Sequence, residues 1–311
     1  MIFAARGLVV SLAFFATVYC PLSLLAILAW RVVKHSGQTA ATNSPNFLFG
    51  LRVFPFALSA VVTVFFTFPS FWLMERPSLD EDAATFILAL CSLCILGAGL
   101  FRALRAQRRT ELAVQKWLAG ATKVDHGGSA PILSAAQGAP PLILVGISKP
   151  RVMISDQATA VLTDGELQVA IRHEISHARS GDNLKKVLVS LLPFPGMTGL
   201  EKDWQEAAEL AADNLAVTSL HEALDLAAAL IKLSRSFQQL PGQVLATGLV
   251  SGPSSINLRV DRLLKWRTAG QPSRHGWPWA LAVVLTVVVG IASNYGAVLV
   301  VTHRLTELLV P

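Results

Sequence analysis

In the stretch AIRHEISHARSGDN, residues 170–183, His173 and His177 stand four apart with Glu174 between them. On a helix that spacing sets both imidazoles on one face, within reach of a single metal ion. Glu174 would then face the ion's open side. A carboxylate there can take a proton from water and return it to a leaving amine. Imidazoles plus a carboxylate suit Zn²⁺, one ion per chain, although other divalent metals fit the same donors. The plain alternative is a solvated helix face with chance His and Glu. The apolar flanks and the helical context count against it.

A catalytic zinc takes three protein ligands and keeps one position for water. No third His follows at the short spacing of H-E-x-x-H-x-x-G-x-x-H. The next helical stretch is DWQEAAELAADNLAV, where Glu209 and Asp213 stand four apart among Ala207, Ala208, Ala211 and Ala212. Small residues let this helix approach the first closely, so Glu209 is the expected third ligand, with Glu206 as its rival. Asp213 is expected to orient one imidazole through its other ring nitrogen, against the reading of an ordinary surface acid. Asp182-Asn183 reads as the N-cap of the next helix rather than as ligands. His221, in TSLHEALD, is a surface His on the plain reading. It is otherwise a candidate for stabilising an oxyanion, since no Tyr lies between residues 105 and 275.

These residues need a rigid mount. LTDGELQVAIRHEISHARSGD reads as one helix, opened by a Thr163/Glu166 capping box and stopped near Gly181. Upstream, PILSAA, LILVG and RVMIS read as short strands among Gly- and Pro-rich turns. From Asp156 to about Trp266 the pattern is helical.

The rest of the chain excludes an ordinary soluble protein. Of 311 residues, 53% are hydrophobic and 15% charged, with a mean hydropathy of +0.52. Four apolar runs are long enough to span a bilayer, at about 7–30, 53–74, 83–104 and from Pro278. Trp30, Trp72, Trp277 and Trp279 lie at their ends, as an interfacial belt would place them. Basic residues decide orientation. Arg31, Lys34 and Arg52 lie between the first two runs. Arg102, Arg105, Arg108 and Arg109 follow the third, and Arg259, Arg262, Lys265, Arg267 and Arg274 precede the fourth. Positive-inside logic puts both termini outside and the long connection in the cytoplasm. The expected organisation is three spans in 1–104, a cytoplasmic metallopeptidase domain in 105–275, and a fourth span with a short external tail in 276–311. The net charge of +6 follows this topology, so no direct nucleic-acid partner is expected. Cys91-x-x-Cys94 lies in an apolar run and reads as packing rather than as a redox pair.

HEISHARSGDNL, the preceding ISKPRVMIS and the downstream ELAAD resemble the BlaR/MecR-type family of integral-membrane zinc metallopeptidases. Gly146 and Pro150 match the family's glycine and proline before a short apolar strand. INLRVDRLL resembles its segment before the last span, with Arg259 at the matching arginine. The resemblance implies a mainly α membrane protein, in which four transmembrane helices carry a gluzincin-like α+β domain inserted between the third and fourth. It implies zinc bound by His173, His177 and Glu209, with Glu174 as catalytic base. Arg259 would serve as a salt bridge or as a transition-state charge. The setting would be the bacterial cytoplasmic (inner) membrane. The substrate would be a cytosolic winged-helix repressor, the chain itself, or both, in antirepressor signalling. The best-known members carry an external penicillin-binding sensor after the fourth span. Here only THRLTELLVP follows that run, with no S-x-x-K nucleophile, so direct capture of a β-lactam is not expected. That leaves room for a separate sensor protein and for a homodimer. Two other readings stand behind this one. One is a quality-control or prenyl-protein-type protease, but those families place longer sequence between the second His and the Glu. The other is a non-catalytic scaffold with a structural zinc, though such sites usually have four ligands, often Cys.

Overall fold

Apolar length organises the first third of the chain. In a computed structural model, α1 (Ile2–His35), α2 (Pro45–Val62) and α4 (Ala83–Leu118) are the long apolar helices. The structure describes residues 2–36, 44–74, 83–119, 122–124, 132–135, 139–236, 247–248, 253–266, 291 and 293–309. Three segments among these are long and apolar enough to cross a membrane: Phe3–His35, Pro45–Met74 and Ala83–Leu118. The second begins at Pro45, earlier than its apolar run, because Ser44 caps the helix and Pro45 suits its first turn. Its path continues through a π turn (Thr63–Thr67) into α3 (Phe68–Met74). Pro69 has no N–H to give the Phe65 carbonyl, four residues back. The Tyr295 hydroxyl donates to that oxygen instead, at 2.7 Å, from α11 (Tyr295–Leu309). The first part of the expected fourth span, and the expected domain boundary at residue 275, lie outside the described residues.

The third apolar helix does not stop where its hydrophobicity does. It runs on to Leu118, and Val114, Trp117 and Leu118 cover one face of a five-stranded sheet. Its strands are β1 (Thr122–Val124), β2 (Ile132–Ala135), β3 (Leu142–Val145), β4 (Arg151–Ser155) and β5 (Thr247–Gly248), in the order β1-β2-β4-β3-β5. Alternation assigns the faces. Ile143, Val145 and Met153 pack toward α4, whereas Leu142, Leu144, Val152 and Ile154 face the helices that follow.

Those helices are α5 (Asp156–Val161), α6 (Asp164–Ser180), α7 (Asp182–Leu191), α8 (Thr198–Ala216), α9 (Leu220–Ser236) and α10 (Pro253–Leu264). β5 departs from the expected helical run. It pairs antiparallel with β3 through Ile143 and Leu144, so β3, which packs beside α6, is not a free edge. Periodicity is a weak signal in a two-residue strand within the Gly- and Pro-containing PGQVLATGLVSGP.

The helical layer sits on the long apolar helices. Leu200, Trp204 and Ala207 of α8 share a core with Ala26, Ile27 and Trp30 of α1 and Leu48 of α2. The end of α7 packs on α4 at Gly99, where an added Cβ would collide with the Leu191 carbonyl and lie 2.8 Å from Pro193. Gly99→Ala is therefore predicted to cost about 1–3 kcal/mol, since a backbone atom must move. Gly97→Ala meets nothing within 4 Å and should be near neutral. Thermal unfolding of the two variants in detergent checks this, and equal melting temperatures would refute the close approach.

Candidate metal centre

Helix α6 begins as its sequence predicts. The Thr163 N–H donates to Glu166 at 2.9 Å, and the Glu166 N–H donates to the Thr163 hydroxyl at 3.4 Å. Gly181 ends it in the left-handed region, with φ +66°, which a glycine adopts without steric cost. The buried face between these caps carries His173, Glu174 and His177, all at most 1% exposed.

Helix α8 lies against α6, and Glu209 is the acid it brings to the imidazoles. The three side chains form a buried cluster whose ligand atoms all lie within 4.8 Å of one another. His173 Nε2 is 3.2 Å from His177 Nε2. Glu209 lies 3.4 Å from the first of these nitrogens and 3.6 Å from the second. A tetrahedral ion with bonds of about 2.0–2.1 Å needs donors about 3.3 Å apart. The cluster thus has the dimensions of a three-donor metal site. Glu206, the rival acid, is only half-buried and does not belong to it.

The outer nitrogens of both imidazoles face carboxylates. His173 Nδ1 lies 3.0 Å from Asp213 and His177 Nδ1 lies 2.6 Å from Asp182. Each carboxylate turns the other ring nitrogen, Nε2, toward the cluster. Arg259 of α10 closes the arrangement. Its Nε and Nη2 donate to the two Asp213 oxygens at 2.8 and 2.6 Å, and Nη1 lies 2.9 Å from Glu209. The guanidinium is thus a buried ion-pair partner of two acids. His221, in contrast, has a side chain 86% exposed at the start of α9, 3.7 Å from Asp225.

Two participants escaped the sequence reading. Asp182 looked like a helix cap, but the helix-capping position is Gly181 and the Asp182 side chain turns back to His177. The left-handed Gly181 makes that return geometrically available. Asn183 extends the same turn to the sheet, donating to the Leu144 and Gly146 carbonyls at 3.2 and 3.0 Å. The second is Lys186, one helical turn beyond Asp182, whose charge acts on Glu209, Glu174 and Asp182. Burial lowers its pKa. Lys185 also reaches Asp182, at 3.4 Å, and lies against Asn46 and the Phe49 ring.

The electrostatics favour a cation. Burial would raise the Glu209 pKa, but Arg259 and the imidazoles hold it well below the usual carboxylate range. Burial also opposes charge on His177, yet Glu209 and Asp182 outweigh it and lift its pKa to about 10. Glu174 is different. Burial pushes its carboxyl up to about 7, against the pull of both imidazoles, and neither oxygen has a hydrogen-bond partner among the described residues. A buried carboxyl without a partner is costly, unless water or substrate meets it.

The sequence profile of the family described as BlaR1 peptidase M56 matches residues 83–263. The chain belongs to this family. Among curated proteins none matches it. The matched region runs from α4 through most of α10 and so contains the His-Glu cluster, Asp182, Asp213 and Arg259. Membership in the M56 family indicates a metallopeptidase, and the buried His173–His177–Glu209 cluster is compatible with its metal site.

Proposed function

We propose that the chain is an integral-membrane zinc endopeptidase that cuts a cytosolic protein in signalling. The observation that carries this reading is the tetrahedral spacing of the His173, His177 and Glu209 donor atoms beside a buried Glu174 that has no hydrogen-bond partner among the described residues. Zinc, when bound, supplies Lewis acidity to a water and to the scissile carbonyl. Glu174 takes the proton of the attacking water and hands it to the leaving nitrogen. Burial of its carboxyl, which favours the protonated form, suits it to hold a proton between the two steps. Asp213 and Asp182 fix the imidazoles, and Arg259 holds Asp213 and Glu209 in register. A structural zinc would leave Glu174 without a role.

The substrate class is a cytosolic protein segment, a winged-helix repressor or the chain's own domain. The basic residues in the second half of α4, Arg102, Arg105, Arg108 and Arg109, favour a cytoplasmic domain with both termini outside, in a bacterial inner membrane. An extended peptide beside the cluster would pair with the sheet at its β5 edge or extend β3 beyond the two residues that β5 occupies.

Glu209→Ala should lower bound zinc about 10-fold or more, whereas Glu206→Ala should leave about one zinc per chain. Chelation should stop proteolysis of the substrate in membranes, and added zinc should restore it. Zinc content by mass spectrometry decides. Loss of metal in Glu206→Ala, with Glu209→Ala unaffected, would move the ligand to Glu206.

A further inference from the structure

Arg52 lies within the second candidate span, yet it is 1% exposed and paired with the peptidase domain. Its Nε and Nη2 donate to Glu201 at 2.9 and 2.8 Å. Nη2 also donates to the Leu192 carbonyl. Leu192 is the C-cap of α7 and Glu201 stands in the first turn of α8. One side chain therefore ties down the ends of two helices. Helix α7 carries Asp182, which orients His177, and helix α8 carries Glu209 and Asp213. A charge on an apolar helix is expensive and needs a partner. A Leu at this position would serve packing alone.

Helix α8 is held at the same end by the first span. The Trp30 indole donates to Asp203 at 2.9 Å, and Lys34 reaches both oxygens of that acid at 3.0 and 2.9 Å. The Phe194 ring, in the turn between α7 and α8, packs on Tyr19 of α1 with centroids 5.5 Å apart. From Glu201 to Glu209 is about 12 Å of continuous helix, too short to flex appreciably. A shift at its first turn is carried to the cluster.

We propose that Arg52 is a positioning residue for the metal centre. From the second span it sets the placement of α7 and α8, and through them of Asp182, Glu209 and Asp213. This rests on the reading of Glu209 as a metal ligand. It gives the membrane helices a direct hold on the geometry of the site.

The test uses the full chain in detergent, loaded with Co²⁺ alone, whose visible absorption reports ligand geometry. Arg52→Gln is expected to shift or weaken the cobalt bands and to lower Co²⁺ affinity about 10-fold, at temperatures well below melting. Arg52→Lys keeps the charge without the fork and should recover part of both. Phe14→Ala, which opens the apolar cluster among the spans, should lower the melting temperature and leave the bands unchanged. Wild-type bands and affinity in Arg52→Gln, or in Arg52→Lys if the first variant does not fold, would overturn the proposal. So would an equal spectral change in Phe14→Ala. Glu209→Ala separates the two layers. If it alters the bands while the Arg52 variants do not, only the positioning role fails. If Glu209→Ala also leaves them unchanged, the ligand reading fails.

Discussion

Glu174→Gln is expected to stop cleavage while the metal stays bound. Loss of a general base lowers rate about 10²–10⁴-fold, and Gln has nearly the same shape. Among the described residues neither Glu174 oxygen has a hydrogen-bond partner, so the substitution breaks no described hydrogen bond that supports the cluster. The pKa adds a second readout in the metal-free protein. The Glu174 carboxyl is raised from an ordinary 4.5 to about 7. Its contribution to stability is fully present below 4.5 and is lost as pH rises through about 7. The neutral amide carries no such loss. The variant should therefore be at least as stable as wild type at pH 8, with the difference shrinking toward pH 4. The decisive comparison is between membranes carrying each form, followed by detection of fragments of the chain and of a co-expressed repressor. Identical fragments from both, with zinc retained in both, would sink the protease reading.

What was legible in the sequence was local. Thr163, Glu166 and Gly181 announce a helix because capping is a matter of residues three or four apart. His173, His177, Glu209 and Asp213 announce a face because 3.6 residues make a turn. Gly146, with φ +93°, sits where a side chain would strain the backbone, and an added Cβ would lie 2.7 Å from the Lys149 carbonyl. Arg52 was not legible. In sequence it is one more basic residue before an apolar run and counts toward orientation. In the structure it is buried against Glu201, so positive-inside logic reads a charge that serves packing across 149 positions. Lys186 and Asp182 were hidden for a related reason. Each reaches the cluster through a reversal at Gly181, and the periodicity of a helix does not encode where the next helix points. The two-residue β5 has too little length to display any period at all.

Loss of Arg259 is expected to have a large effect for the same reason, a contact between residues far apart in sequence. Arg259 is 1% exposed and has three of its nitrogens against Asp213 and Glu209. Arg259→Met would leave two carboxylates facing each other in a buried cluster. Removing one partner of such a network costs about 3–5 kcal/mol, more than a matched apolar replacement of every partner would. Asp213 would also lose the charge that, against burial, keeps its carboxyl below the ordinary range. With Asp213 loosened, the His173 ring loses its orienting carboxylate, and metal affinity should fall about 10–100-fold. Arg259→Lys should fall between, since one ammonium cannot span both Asp213 oxygens and Glu209. Zinc titration and denaturation of the detergent-solubilised protein measure the two effects separately. A group acting only on transition-state charge would behave otherwise: kcat would drop while zinc affinity and stability stayed at wild-type values. The two-point grip on Asp213 predicts the opposite order, with stability and metal lost first and catalysis lost as their consequence.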